Sequence, residues 1–309
     1  MIKVQFAAQS ERWDKYQPHL VAAFEKFGLS VDLRQDHAPD QVDYVVYAPN
    51  SDLQDFTPFT RCKAVLNLWA GVETVTGNRT LTQPLCRMVD PGLTEGMVEW
   101  VTGHVLRYHL DIDHWLAMQS GEWAPETPPL ARERKVTILG LGQLGTACAK
   151  ALTGLGFNVT GWARREKDVE SVTCLHGDTG LKEALRNAEI LVLLLPDTAG
   201  TTNVLNEESL ALMPKGARII NPGRGPLIDD DALMAALESG KIAHATLDVF
   251  RKEPLPEAHP YWAHPKVTVT PHIAAETRAN TASEVIAENI RRGEAGEPLL
   301  YLVDREAGY

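Results

Sequence analysis

Short apolar runs alternate with amphipathic segments in the first third of the chain. Between the first two runs, Glu11 to Phe27 carries apolar positions at helical spacing and stops at Gly28, which favours a helix C-terminus. Strands are predicted at five apolar runs: Val4–Ala7, Val31–Leu33, Tyr44–Ala48, Ala64–Leu68 and Arg87–Val89. This alternation is typical of a parallel sheet with crossover helices.

A second alternating series begins at Lys135, after a predicted amphipathic helix at Thr94–Met118 and a proline-rich break. Its strands are predicted at Val136–Leu139, Asn158–Gly161, Ile190–Leu195, Ala217–Asn221, Ala245–Val249 and Val267–Thr270. Ile190–Leu195 is apolar at every position, as a strand buried on both faces requires. Six strands with intervening helices match a complete dinucleotide-binding domain. One more helix is predicted at Glu276–Arg292.

A glycine-rich turn joins the first strand of this second series to a helix, at Gly140-Leu141-Gly142-Gln143-Leu144-Gly145. The G-x-G-x-x-G pattern is weak by itself, but between a strand and a helix it predicts a dinucleotide site. Gly140 would permit the tight turn, Gly142 the approach of backbone to the pyrophosphate, and Gly145 the packing of helix on strand. The predicted cofactor contacts in this turn are Gly140, Gly142, Gln143, Leu144 and Gly145.

The residues after the second strand of this series bear on the choice of nucleotide. An NAD enzyme usually has Asp or Glu there, which binds the ribose 2′-hydroxyl. This chain has Trp162-Ala163-Arg164-Arg165-Glu166 instead. Two guanidinium groups can bind a 2′-phosphate through charge-assisted hydrogen bonds, so NADP(H) is predicted to be preferred over NAD(H). The alternative is a solvated basic turn, and Glu166 is expected to point to solvent.

Composition restricts the other partners. The net charge of −11 opposes nucleic-acid binding, and no apolar run reaches the roughly 18 to 20 residues that span a bilayer. The four cysteines form no C-x-x-C pair, which favours a reducing, cytoplasmic setting. His104, His109 and His114 follow one another at steps of five, so they lie about 140° apart around a helix and share no face. No metal site is predicted.

Polar motifs follow the last three predicted strands. They are Asn221-Pro222-Gly223-Arg224-Gly225-Pro226, Leu247-Asp248-Val249-Phe250-Arg251-Lys252-Glu253 and Thr270-Pro271-His272-Ile273-Ala274. In open α/β sheets ligands bind beyond the carboxyl ends of the strands, so Arg224, Glu253 and His272 are candidates for one reaction centre. Taken singly, each of them could be an ordinary turn or surface residue.

Together these motifs resemble the D-isomer-specific 2-hydroxyacid dehydrogenases, over essentially the whole chain. Within that family the chain is most similar to the short glyoxylate/hydroxypyruvate reductases of the bacterial A type, on residues 161–165, on residues 193–198 and on length. The resemblance implies an α/β fold of two doubly wound parallel-sheet domains, with a Rossmann cofactor domain inserted into a flavodoxin-like substrate domain. It implies a substrate domain of residues 1–98, to which 276–309 return, and an NADP-binding domain of residues 99–275.

The resemblance also implies a reaction, the NADPH-dependent reduction of glyoxylate and hydroxypyruvate to glycolate and D-glycerate. The enzyme is expected to be a cytoplasmic homodimer formed through the helix that starts near Thr94. Arg224 would bind the substrate carboxylate and stabilise charge on the carbonyl oxygen, while Glu253 would orient the proton donor His272 and raise its pKa. Substrate contacts are implied at Trp69, Ala70, Gly71, Val72 and Arg224. Further cofactor contacts are implied at Trp162, Arg164, Arg165, Leu195, Pro196, Asp248, His272 and Ala274.

Alternatives remain within and outside the enzymes. The rivals within the family are a D-lactate type and a phosphoglycerate type dehydrogenase. Phosphoglycerate types often add a regulatory domain and an acid at the nucleotide position, and neither feature is found in this sequence. Formate dehydrogenases of this fold replace the acidic partner of the histidine with glutamine, whereas Glu253 is acidic. Some relatives act as nucleotide-sensing corepressors, and the presence of Arg224, Glu253 and His272 favours an enzyme over that role.

Overall fold

In a computed structural model that describes residues 1–305, the chain divides into two compact units. Unit 1 comprises Met1–Leu93 and the chain from Glu276 onward, and unit 2 comprises Thr94–Ala275. Unit 2 is therefore inserted in the sequence of unit 1. The first boundary falls inside the helix Pro91–His109, slightly before the predicted limit at residue 98. Residues 306–309 of the predicted substrate domain lie outside the described residues.

Unit 1 is built on a five-stranded parallel sheet with the order β2-β1-β3-β4-β5. The strands are β1 (Ile2–Ala7), β2 (Val31–Arg34), β3 (Tyr44–Tyr47), β4 (Ala64–Asn67) and β5 (Leu85–Cys86). The strand predicted at Arg87–Val89 is wrong. Leu85 and Cys86 are the residues that pair with β4. The pairing ends there because the Met88 amide donates to the Trp69 carbonyl in the turn after β4.

Two helices from distant parts of the sequence cover this sheet together. Unit 1 contains α1 (Ser10–Lys26), α2 (Glu73–Thr76) and α9 (Ala279–Ala295), which begins three residues after the predicted start at Glu276. α1 buries residues 16, 20, 23 and 24, and α9 buries residues 282, 286, 287 and 290, so each presents one apolar face. Both faces belong to the same core cluster as the sheet residues Val4, Phe6 and Leu66.

Unit 2 contains a seven-stranded parallel sheet with the order β12-β11-β10-β9-β6-β7-β8. Its strands are β6 (Lys135–Leu139), β7 (Asn158–Ala163), β8 (Thr173–His176), β9 (Ile190–Leu193), β10 (Ala217–Asn221), β11 (Ile242–Leu247) and β12 (Val267–Val269). The chain leaves β6 on one side and returns to its other side at β9, which is the doubly wound order of a dinucleotide-binding fold. The expectation of two doubly wound α/β domains is confirmed. The edge strand β8 was not predicted, since none of its four residues is fully buried.

The helix predicted at Thr94–Met118 is wrong as a single element. The structure has α3 (Pro91–His109) and α4 (Ile112–Ala117), separated at Asp111, whose φ of 51° is left-handed. This break is stabilised because Arg218 binds the Asp111 carboxylate and Arg107 binds Asp113 at 2.6 Å. Unit 2 also contains α5 (Gln143–Gly154), α6 (Gly177–Arg186), α7 (Glu207–Leu212) and α8 (Asp230–Glu238).

The three histidines of the α3–α4 region contact different aromatic rings. His104 packs against Trp100, His109 meets Phe157 edge-on, and His114 lies against the neighbouring Trp115. Within residues 1–305 no three His, Cys, Asp or Glu side chains are grouped so that they could hold a metal ion. In the same part of the chain, each helix is too short or too polar to cross a membrane.

Candidate active site

The predicted reaction centre lies at the carboxyl edge of the unit 2 sheet, where His272 follows β12. Its imidazole Nδ1 is 2.7 Å from Oε2 of Glu253, which follows β11. The other carboxylate oxygen of Glu253 accepts a hydrogen bond from the Phe250 amide at 2.9 Å. Because Nδ1 faces the carboxylate, Nε2 is the ring nitrogen left to exchange a proton with a substrate.

The two members of this pair shift each other's pKa. The hydrogen bond that His272 donates to Glu253 raises the pKa of His272 above its ordinary value of 6.5, against the opposing effect of burial and of the Arg224 charge. Burial alone would raise the pKa of Glu253, but the hydrogen bonds from His272 and Phe250 and the Arg224 charge hold it below 4.5. The pair therefore favours imidazolium beside carboxylate, which is the form that can donate a proton.

Arg224 belongs to the same centre, because its charge acts on both His272 and Glu253. It follows β10 in extended backbone, and its Nη1 donates to the Gly223 carbonyl at 2.7 Å. Asn221 holds this turn: its side chain accepts from the Gly223 amide at 3.1 Å and donates to the Arg224 carbonyl at 2.9 Å. Sequence reasoning did not single out Asn221 as a support of the Arg224 turn, although a polar residue ending an apolar strand was a usable signal.

Asp248 fixes the backbone that presents His272. Its fully buried carboxylate accepts hydrogen bonds from the Thr270 hydroxyl at 2.6 Å and from the amides of Ile273 and Ala274, both at 2.9 Å. The Asp248 carbonyl accepts from the His272 amide at 2.9 Å. These bonds hold His272 in left-handed backbone with a φ of 54°. The cofactor contacts predicted for Asp248 and Ala274 stay predictions.

The glycine turn has the shape that a dinucleotide requires. A Cβ on Gly140 would overlap the Leu194 carbonyl oxygen, and one on Gly145 would overlap the Gly140 carbonyl oxygen. A Cβ on Gly142, by contrast, would meet nothing within 4 Å. Gly142 is the N-cap of α5, so an open space lies before the unpaired amides of a helix N-terminus. This arrangement fits a bound pyrophosphate held through Gly142, Gln143 and Leu144.

Arg164 and Arg165 lie beside that turn at the end of β7. The Gly140 amide donates to the Trp162 carbonyl at 2.8 Å, which places the end of β7 next to the glycines. Both arginines and Glu166 are exposed. Trp162 is buried, and its indole nitrogen donates to the Gly177 carbonyl at 2.9 Å. The predicted contact between Trp162 and a cofactor stays a prediction.

Two further groups of predicted residues occupy turns after strands. Leu195, which is buried, and Pro196 follow β9, and the Pro196 carbonyl accepts from the Thr201 hydroxyl at 2.6 Å. In unit 1, Trp69, Ala70, Gly71 and Val72 form the turn after β4. Asn67 stabilises that turn by donating to the carbonyls of Trp69 and Gly71 at 3.0 and 3.2 Å. The contacts of both groups with ligands stay predictions.

Comparison with known proteins identifies a family for this arrangement. Residues 104–274 match the model of the NAD-binding domain of D-isomer-specific 2-hydroxyacid dehydrogenases. A glyoxylate/hydroxypyruvate reductase A from Serratia proteamaculans is 40% identical over 257 residues, covering 81% of this chain and 82% of that protein.

Solved structures agree over the full length. A D-isomer-specific 2-hydroxyacid dehydrogenase from Xanthobacter autotrophicus Py2, in complex with NADPH and MES, has a TM-score of 0.92 and 40% identity, covering 100% of this chain and 99% of that one. An NADPH-dependent glyoxylate/hydroxypyruvate reductase from Sinorhizobium meliloti, in complex with NADP and sulfate, has a TM-score of 0.87 and 32% identity, with the same coverage.

Proposed function

Since this chain belongs to the D-isomer-specific 2-hydroxyacid dehydrogenase family and is an NAD(P)-dependent dehydrogenase, we propose that it reduces small 2-keto acids with NADPH. The proposed substrates are glyoxylate and hydroxypyruvate, and the products are glycolate and D-glycerate. The observation that carries the proposal is the 2.7 Å hydrogen bond between His272 and Glu253, together with the effect of the Arg224 charge on His272. The names of similar proteins, which are glyoxylate/hydroxypyruvate reductases, support the choice of substrate.

The side chains have distinct tasks in this reaction. Bound NADPH would supply the hydride that adds to C2 of the keto acid. Negative charge then develops on the carbonyl oxygen, which Arg224 stabilises while it also holds the carboxylate. His272 donates the proton from Nε2 to that oxygen, and Glu253 keeps the resulting imidazole oriented through Nδ1. One keto acid, one NADPH and one proton give one hydroxy acid and one NADP⁺.

A substrate panel tests the proposed reaction. Purified protein is mixed with NADPH and with glyoxylate, hydroxypyruvate or pyruvate, and the loss of reduced-nicotinamide absorbance is followed, with His272→Ala as the control of lowered activity. Glyoxylate and hydroxypyruvate should give the highest kcat/KM. A preference for pyruvate would support the D-lactate type instead, and nucleotide binding without any turnover would support the sensing role.

We also propose NADPH as the preferred cofactor, on the basis of the two arginines at the end of β7. A hydrogen bond to a charged group is worth about 1.5–3 kcal/mol, which corresponds to roughly 10- to 150-fold in affinity. The kcat/KM with NADPH should exceed that with NADH by at least about 10-fold, and the difference should shrink at high salt. Changing both Arg164→Ala and Arg165→Ala should raise KM for NADPH and leave NADH kinetics nearly unchanged. Equal use of both cofactors by the wild type would contradict the proposal.

A cytoplasmic homodimer completes the proposal. The dimer is implied by the family resemblance, and it requires a direct measurement of particle mass.

A further inference from the structure

Arg251 lies on the segment that carries Glu253, and its guanidinium binds two other segments of unit 2, at Asn203 and at residues 228–230. Its Nη2 donates to the side-chain oxygen of Asn203 and to the Ile228 carbonyl. Its Nε is 3.3 Å from Oδ2 of Asp230, the first residue of α8. Asp230 is itself held, because its other carboxylate oxygen accepts from the buried Tyr261 hydroxyl at 2.9 Å.

The backbone of the same segment rests on the turn that carries Arg224. A Cβ on Gly225 would overlap the Phe250 carbonyl group and the Arg251 amide nitrogen, so the two backbones are in direct contact there. The segment 250–253 is thus attached to the segment 224–228 at two points, by backbone at Gly225 and by the Arg251 side chain at Ile228.

The segment attached in this way carries the carboxylate that meets His272. The Phe250 amide holds one oxygen of Glu253 at 2.9 Å, and the other oxygen meets His272 at 2.7 Å. We propose that Arg251 is a positioning residue, whose guanidinium holds Phe250–Glu253 against the Arg224 turn so that Glu253 stays on Nδ1 of His272. The role of the pair in proton donation rests on the proposed function, whereas the positioning of Glu253 does not.

Loss of the Arg251 charge and loss of its positioning role would shift the pKa of His272 in opposite directions. Glu253, Asp248 and Arg224 are the charged groups that act on His272. Removing a nearby cation would stabilise imidazolium and move the pKa of His272 upwards, if it moved at all. Loss of the Glu253 hydrogen bond would move that pKa downwards, because the carboxylate is the main cause of its raised value.

The test therefore measures the titration of His272 directly, in protein labelled with ¹³C at histidine Cε1. Comparison with His272→Asn assigns its signal among the ten histidines. In Arg251→Gln the midpoint should fall by about 0.5 pH unit or more, a part of the 1–3 units that a nearby opposite charge produces. Lys252→Gln, which removes the same charge from the exposed neighbouring position, should leave the midpoint unchanged or slightly raised. A midpoint in Arg251→Gln that matches Lys252→Gln would overturn the proposal.

Kinetics give a second, separate readout. Arg251→Gln should lower kcat about 10-fold or more, through misplacement of the pair, with the dissociation constant for NADPH unchanged. Arg251→Lys retains the charge but loses the planar guanidinium, so it should give intermediate values, and it carries the test if Arg251→Gln does not fold. Failure of the wild type to reduce either keto acid would refute the proposed function, while the His272 midpoint would still decide the role of Arg251.

Discussion

At the scale of single residues, the centre depends on a strained conformation held by a buried acid. A non-glycine residue in left-handed backbone costs about 1–2 kcal/mol, and His272, the proposed proton donor, adopts it. Asp248 offsets that cost with three hydrogen bonds to the turn. Neither the positive φ nor the direction of Asp248 was predictable from sequence, because both depend on how the ends of β11 and β12 meet.

Substitution of His272 should remove the proton donor and spare cofactor binding. We expect His272→Ala to lower kcat by roughly 100-fold or more, the usual contribution of a general acid. His272→Asn should lower kcat similarly, and since Asn tolerates left-handed backbone it should disturb the turn less. Steady-state kinetics and NADPH titration by fluorescence measure the two effects. Retention of most of kcat at neutral pH would show that another group donates the proton.

Substitution of Glu253 should change the pH profile. The proposed mechanism requires imidazolium for reduction, so kcat/KM should fall as the pH rises through the pKa of His272, which lies above 6.5 in the wild type. Glu253→Gln replaces the carboxylate by a neutral amide, which stabilises imidazolium less, and the falling limb should move to lower pH. Superimposable profiles for wild type and variant would mean that Glu253 does not partner the acid.

At the scale of elements, sequence patterns predicted most strands and failed where pairing or local charge decides the structure. The continuous apolar run of β9 and the glycine turn before α5 were predictable because burial and backbone approach constrain residue types directly. β8 is an edge strand without a buried face, so no hydrophobic pattern marks it. The break between α3 and α4 depends on Arg218, more than a hundred residues away, and no local pattern encodes that contact.

The glycine turn gives a prediction that separates binding from stability. Gly142→Ala should fold normally, because its Cβ would enter open space, but should weaken NADPH binding where the pyrophosphate approaches the backbone. Gly145→Ala should lower the melting temperature, because its Cβ would overlap the Gly140 carbonyl. Thermal unfolding and NADPH titration are measured on both variants, so that each variant is the control for the other. Unchanged affinity in Gly142→Ala would place the nucleotide elsewhere.

At the scale of the whole molecule, the family resemblance predicted that the C-terminal helix returns to the first domain, which hydrophobic periodicity could not predict. The amphipathic pattern of α9 indicates a buried face but not its partner, and the structure packs that face with α1 at the other end of the sequence. The comparisons confirm the family and the α/β class. The roles of the two domains stay predictions.

The expected dimer can now be tested with particular residues. Val101, which lies on the helix expected to form the interface, is fully buried within unit 2, whereas Leu116 and Trp123 are 68% and 93% exposed. We expect light scattering to give about twice 34.0 kDa for the wild type, and Leu116→Glu with Trp123→Glu to shift it towards the monomer. Leu155→Glu, which changes an exposed leucine after α5, is the matched control. A wild-type particle of 34.0 kDa at micromolar concentration would rule the dimer out.

The insertion of unit 2 into the sequence of unit 1 also sets an order of events during protein synthesis. When the ribosome has passed Ala275, every strand of the two described sheets has been translated, yet α9 has not. The nascent unit 1 then lacks Ile286 and Ile290, which are buried against α1 and the sheet in the folded protein. The apolar surface of α1 and its sheet therefore stays exposed to water and to chaperones until α9 leaves the exit tunnel. By then the whole of unit 2 has been translated.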